Sequence, residues 1–340
     1  MAARERVAEI DWLKGAAILC VVLIHAEALA GAWISDVLLN RAVPVFAVLF
    51  GLNAESWWSA RSGGALRGLR WYGTRVRRIL VPTWVSLALW WGMVFSMAPA
   101  IPHSAGYVLA SAVGYAPWVG ASWFLTLVIE LIVLFPLLRF VVDRVGLAVA
   151  SAAGAACTVL CWIYLGEVTR TVQWWVGGMV PTPDYFFWIF APRFFWHVIA
   201  GVAVARLTSG RPGMRVVVVA AAVFAAGTAV REFALDHPFH RSALQALLDV
   251  PLTLALLGGF RLFGLLPARV PVLAWLAWLG VSSWGVYLGQ LLGHNAVLLS
   301  GNWSRIDTTL ERWLYFAALT AVAAALAAGG DELRRRARVL

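Results

Sequence analysis

The residues best suited to chemistry lie on the first apolar run, at Lys14 and His25. They are eleven apart. At about 100° per residue that is close to three full turns, so a helix places them on one face roughly 16 Å apart along its axis. An imidazole takes up and releases protons near physiological pH. Lys14 is the chain's one lysine among 27 basic residues, an exception to a general use of arginine. The plain alternative is that it only reaches for the headgroup level. Other ionisable groups also sit inside apolar runs: Arg41, Glu130, Arg193, His197, Asp249 and His294, with the neutral Gln290 beside the last. Such groups are costly in hydrocarbon, and each is a functional candidate by default. The bland reading is a set of internal ion pairs, with Arg41 and Arg193 facing Glu130 and Asp249. Counting along each run puts most of these groups in its middle or outer half, which predicts one shared polar interior.

The elements that must position them are transmembrane helices. Of 340 residues, 62% are hydrophobic and 13% charged; a soluble domain is about a quarter charged. Apolar runs near the roughly 20 residues that cross a bilayer fill the chain. They predict an all-α polytopic membrane protein of about ten spans, over 12–30, 35–57, 79–98, 122–141, 146–165, 186–205, 215–230, 243–262, 276–298 and 313–329. The eighth contains Asp249 and Pro251, and a membrane helix tolerates proline when neighbours satisfy the freed backbone.

Short loops that hold arginine lie on the cytoplasmic side. Basic residues cluster at Arg4 and Arg6; at Arg61, Arg67, Arg70, Arg75, Arg77 and Arg78; at Arg139 and Arg144; at Arg206, Arg211 and Arg215; at Arg261 and Arg269; and at Arg334, Arg335, Arg336 and Arg338. The intervening loops carry few. This alternation predicts both termini inside, in the plasma (inner) membrane. The net charge of +10 is thus spread through short loops, which argues against a nucleic-acid partner. Cys20, Cys157 and Cys161 lie in apolar runs with no histidine near the last two in sequence, so packing is expected and no metal site. The first run carries Asp11, Lys14, His25 and Glu27, unlike the plain core of a cleaved signal, and is expected to be retained. Residues 104–120 and 171–185 read as interfacial or re-entrant segments on the outer side. Residues 1–340 are expected to form a single membrane-embedded domain with no soluble extracytoplasmic one.

The run from Asp11 through Lys14 to His25 resembles the opening motif of membrane-bound acyltransferase family 3, in which Arg or Lys is followed after ten residues by His. Arg41 to Gly51 resembles its second-helix motif, with Phe50 where a serine is usual. Arg75 to Pro82 resembles its basic entry to the third helix, and Trp123 to Arg139 its fourth-helix pattern. Leu279 to Leu288, with Ser283 and Tyr287, resembles its late motif, with Gln290 where a histidine is usual. The resemblance implies transfer of an acyl group, most simply acetyl, from cytoplasmic acyl-CoA to a hydroxyl of a glycan or lipid-linked cell-envelope acceptor, with acyl-CoA (acetyl-CoA) as co-substrate and no tightly bound cofactor. Membrane lipid is the remaining partner.

Within that expectation His25 is the general base, since an uncharged imidazole suits the removal of a hydroxyl proton. An acyl-histidine is the variant. Glu130 or Asp249 would orient the ring, and the sequence leaves the choice open. Arg75, Arg77 and Arg78, with Lys14, would hold the donor's phosphates. Arg41, Arg193, His197, Ser283 and Gln290 would lie on the acceptor or oxyanion side. A glycan or lipid transporter fits a polar membrane interior equally well, but no inverted repeat relates the two halves.

Overall fold

The computed structural model describes residues 7–29, 31–61, 66–97, 105–112, 123–175, 190–265 and 271–336. They are almost entirely helical, and none of them forms a strand. The helices are α1 (Ala8–His25), α2 (Trp33–Val37), α3 (Ala42–Ser59), α4 (Leu66–Arg75), α5 (Val81–Met97), α6 (Ala105–Ala112), α7 (Trp123–Val145), α8 (Leu147–Trp175), α9 (Phe195–Thr208), α10 (Met214–Phe233), α11 (Pro238–Phe263), α12 (Pro271–Val281), α13 (Ser283–Leu299) and α14 (Thr309–Arg336). Short 3-10 turns at Leu39–Arg41, Ala191–Phe194 and Asn302–Arg305 join some of them.

Each expected span overlaps a helix, but their lengths differ. Among the described residues, seven helical stretches are long and apolar enough to cross a membrane: Trp33–Ser59, Leu66–Met97, Trp123–Val145, Leu147–Tyr164, Met214–Phe233, His240–Phe263 and Thr309–Glu332. An eighth counts only if α12 and α13 are one span, and they meet at 80°. The bend falls at Ser282, whose hydroxyl donates to Asp331 Oδ2 at 3.0 Å. The first expected span is really Ala8–His25, which carries Glu9, Asp11 and Lys14. The sixth is the 14-residue α9 with the turn before it. Of the two awkward outer stretches, residues 105–112 form α6 and 171–175 end α8; the remainder lies outside the described residues.

α1 is tolerated with its charges because other helices surround it. It packs on α3, α11, α12, α13 and α14 and on the Leu39–Arg41 turn. The periphery is apolar instead: Val218 and Val219 of α10 and Leu314 of α14 are exposed, as a lipid-facing surface requires. Two crossings are unusually close. A Cβ on Gly51 would stand 2.1 Å from the Val198 carbonyl oxygen, and one on Gly201 2.0 Å from that of Val48, so α3 and α9 touch backbone to backbone. A Cβ on Gly280 would meet the Asp11 carbonyl at 1.8 Å, where α12 crosses α1. Small residues at such crossings are how membrane helices gain contact when lipid is as apolar as leucine.

Two interior prolines are accommodated by one device. Proline lacks the N–H that would bond the carbonyl four residues back. Pro136 therefore frees Ile132 O, which accepts from Trp71 Nε1 at 3.0 Å. Pro251 frees Leu247 O, which accepts from Trp196 Nε1 at 3.3 Å. Replacing Trp71 by phenylalanine keeps most of the ring but leaves a buried carbonyl unmet, a cost of about 1–3 kcal/mol. Thermal unfolding in detergent should show Trp71→Phe destabilised. The loss should shrink in a Pro136→Ala background, where the helix can supply its own N–H.

Candidate functional site

The polar groups fall into three regions joined by α1. At the first, His25 is the last residue of α1, not a mid-span residue. Its Nδ1 lies 2.6 Å from Val21 O, one turn back. A carbonyl oxygen only accepts, so Nδ1 carries the hydrogen and Nε2 keeps its lone pair. His25 has no carboxylate partner among the described residues, so the expectation that Glu130 or Asp249 orients it gives way to its own helix backbone. Across from it stands His294 of α13, ring centroids 5.9 Å apart and edge-on. His294 Nδ1 lies 2.7 Å from Tyr315 Oη of α14. Trp303 lies against both, 5.2 Å from His294 and 5.4 Å from Tyr315 between centroids. Gln290 is one turn before His294 on α13, fully buried, with neither amide atom hydrogen-bonded among the described residues. Where the late motif usually has an imidazole this chain has that amide, and an imidazole follows one turn later.

The second region holds the expected acceptor-side charges. Asp249 is buried on α11. Its Oδ2 is 3.4 Å from His197 Nε2, and its Oδ1 is 3.9 Å from Arg41 Nη1 and 3.5 Å from Gln245 Nε2. Gln245 Oε1 accepts from Arg231 Nη1 at 2.8 Å, and Arg231 also pairs with the exposed Asp36. Arg193, likewise buried, stacks its guanidinium on Trp162 at 4.0 Å within electrostatic reach of Arg41 and Asp249. Glu130 Oε2 accepts the Ala191 N–H at 2.9 Å, at the start of a 3-10 turn. Of the expected set, then, Arg41, His197 and Asp249 are brought together with Arg193 beside them, while Glu130 holds a turn. Ser283 is at the far end of α13 from His294, about 16 Å away by helix rise. Sequence reasoning missed Gln245, Arg231 and Asp36 here. The i, i+4 spacing of Gln245 and Asp249 was the available signal.

The third region is the arginine-rich end. Glu55, buried on α3, binds Arg139 Nε and Arg206 Nε, both at 3.0 Å, and Ser59 Oγ at 2.9 Å. Asp143 completes the ring with Arg139 at 2.9 Å and Arg206 at 2.7 Å. This ties the C-terminal ends of α3, α7 and α9 together. Arg75 is different. It stacks on Trp71 at 4.3 Å, with Arg61 and Arg78 within electrostatic reach. Arg77 and Arg78 are exposed. No carboxylate pairs with Arg75, Arg77 or Arg78 among the described residues. Lys14 pairs with Asp11 of its own helix at 3.8 Å. Phe50, at the usual serine position, packs its ring against Trp71 and Phe135 beside this cluster.

Residues 7–329 match the acyltransferase domain of acyltransferase family 3, and the chain belongs to that family. It is accordingly a membrane acyltransferase. No curated protein and no solved structure matches it.

Proposed function

We propose that this protein moves an acyl group, acetyl by default, from acyl-CoA on the cytoplasmic side to a hydroxyl of a glycan or lipid-linked cell-envelope acceptor on the outer side of the plasma membrane. Ten spans with both termini inside would give that geometry. The observation that carries the reading is the state of His25: its Nδ1 is committed to Val21 O, which leaves an unprotonated Nε2 at the end of α1. A hydroxyl bonded there loses its proton to Nε2 as its oxygen attacks the thioester carbonyl. The C–S bond then breaks and the thiolate takes that proton. Asp249, engaged with His197 and Arg41, belongs to the acceptor-side network rather than to the proton transfer.

At the other end, the contrast between paired and unpaired arginines supports the donor assignment. Arg139 and Arg206 are spent on Glu55, whereas Arg75, Arg77 and Arg78 are left to bind phosphate. Arg75→Ala and Arg78→Ala should each raise the KM for acetyl-CoA about ten-fold with little change in kcat, by loss of one charge-assisted contact. Unchanged donor KM in both would remove the clamp. The whole reading is tested by supplying acetyl-labelled acetyl-CoA to membranes that contain or lack the protein and following label into envelope glycans by mass spectrometry. Label that appears equally in both would refute it.

A further inference from the structure

The geometry points to His294, held by Tyr315, as the second catalytic imidazole: a hydrogen-bond donor that fixes the oxygen of the acceptor hydroxyl while His25 takes its proton. The inference rests on the acyl-transfer reading above and names a residue which that reading leaves unused.

The argument is one of tautomers. His25 Nδ1 donates to a backbone carbonyl, so its Nε2 accepts. On the facing ring the partner is a phenol. Tyr315 is nearly buried, and His294 is its only hydrogen-bond partner among the described residues. A buried hydroxyl proton left without an acceptor is costly, so the phenol spends it on His294 Nδ1. His294 then carries its own hydrogen on Nε2. The two rings are thereby set in opposite states, one with a lone pair and one with an N–H, 5.9 Å apart between centroids. No hydrogen bond joins them directly.

A hydroxyl is the simplest group that satisfies both rings at once. It donates its proton to His25 Nε2 and accepts from the N–H of His294 through its oxygen. That bond aligns the oxygen lone pair left for attack and stays in place while the proton moves to His25. Further contacts border the pair. Trp303 packs edge-on against His294, and Arg312 reaches Glu27 of the turn after α1, with Nη1 3.8 Å from its carboxylate and 3.4 Å from its carbonyl oxygen. Glu27 itself is held at φ 52°, a conformation uncommon for a side-chain-bearing residue, which fixes how the chain leaves His25. Tyr315 is a positioning residue, because it acts only through His294.

Two measurements test this on the full-length protein in detergent. Histidine ¹⁵N spectra should show His294 protonated at Nε2 and His25 at Nδ1. Tyr315→Phe should leave His25 as it is and let His294 populate both tautomers. Transfer of acetyl from acetyl-CoA should fall about 100-fold in kcat for His294→Ala, by loss of one preorganised donor, with donor KM unchanged. His294→Gln, whose amide still donates, should recover part of that loss, and Tyr315→Phe should cost about ten-fold. His294 found protonated at Nδ1 in the wild type overturns the proposal, as does a folded His294→Ala protein of undiminished kcat. A wild type that transfers nothing from acetyl-CoA would instead sink the proposed acetyl-CoA donor, and the spectra would still decide the tautomers.

Discussion

Replacing His25 by alanine should lower acyl transfer by about 10²- to 10⁴-fold, the range general-base removal commonly produces. The loss should appear in kcat, with the donor KM near its starting value, because the arginines that would hold the donor lie at the other end of the bundle. Folding should survive. His25 is only half-buried and its one hydrogen bond is to its own helix, so the facing His294 loses a ring contact but no neighbouring side chain loses a hydrogen bond when the ring is removed. His25→Asn is the sharper probe. It keeps a polar group at the helix end but removes a base. A folded His25→Ala protein with normal turnover would end the assignment.

The second large effect concerns stability. Gly201→Val should prevent α3 and α9 from packing at all. The first atom of any side chain at 201 meets Val48 O at 2.0 Å, and the reciprocal position, Gly51, is equally closed by Val198 O. Relief would require the two backbones to separate by more than an ångström along a contact that also carries Glu55 and Arg206. Overpacking in ordinary cores costs about 1–3 kcal/mol; a clash with backbone on both helices lies at or beyond the top of that range. The expected result is loss of the monodisperse peak in detergent size-exclusion chromatography. Gly329→Val, where an added Cβ meets nothing within 4 Å, should behave as the wild type.

How legible these features were depended on how local they are. The Lys14–His25 face follows from helix geometry alone, and a continuous α1 provides it. The apolar runs located the helices, because hydropathy reports on length and composition directly. Of what tertiary contact sets, the expected approach of Arg41 to Asp249 forms, but other features differ. His25 looked mid-span because apolar residues continue to Ala30, but the helix ends at His25 and a left-handed Glu27 turns the chain away. The supposed single span 276–298 is bent at Ser282, where Gly280 must clear the Asp11 backbone. Glu130 and Asp249 were equivalent as carboxylates in apolar runs. Only the fold gives one to a backbone N–H and the other to His197 and Arg41. Glu55 lies near the end of its run, and Ser59 one turn on is its only local signal. Among the arginines the sequence offered one basic cluster per loop; which members are neutralised depends on helices far apart in the chain, as Glu55 with Arg206 shows.

The central position of α1 has a consequence for biogenesis. It is made well before the helices that shield much of it and carries Glu9, Asp11 and Lys14, whereas α12, α13 and α14 begin only at Pro271. Its enclosure is therefore postponed until more than two hundred further residues have been synthesised. Until then a segment with three charges must be sheltered by insertion machinery or rest near the headgroups, so the late helices act on the early one as an internal chaperone.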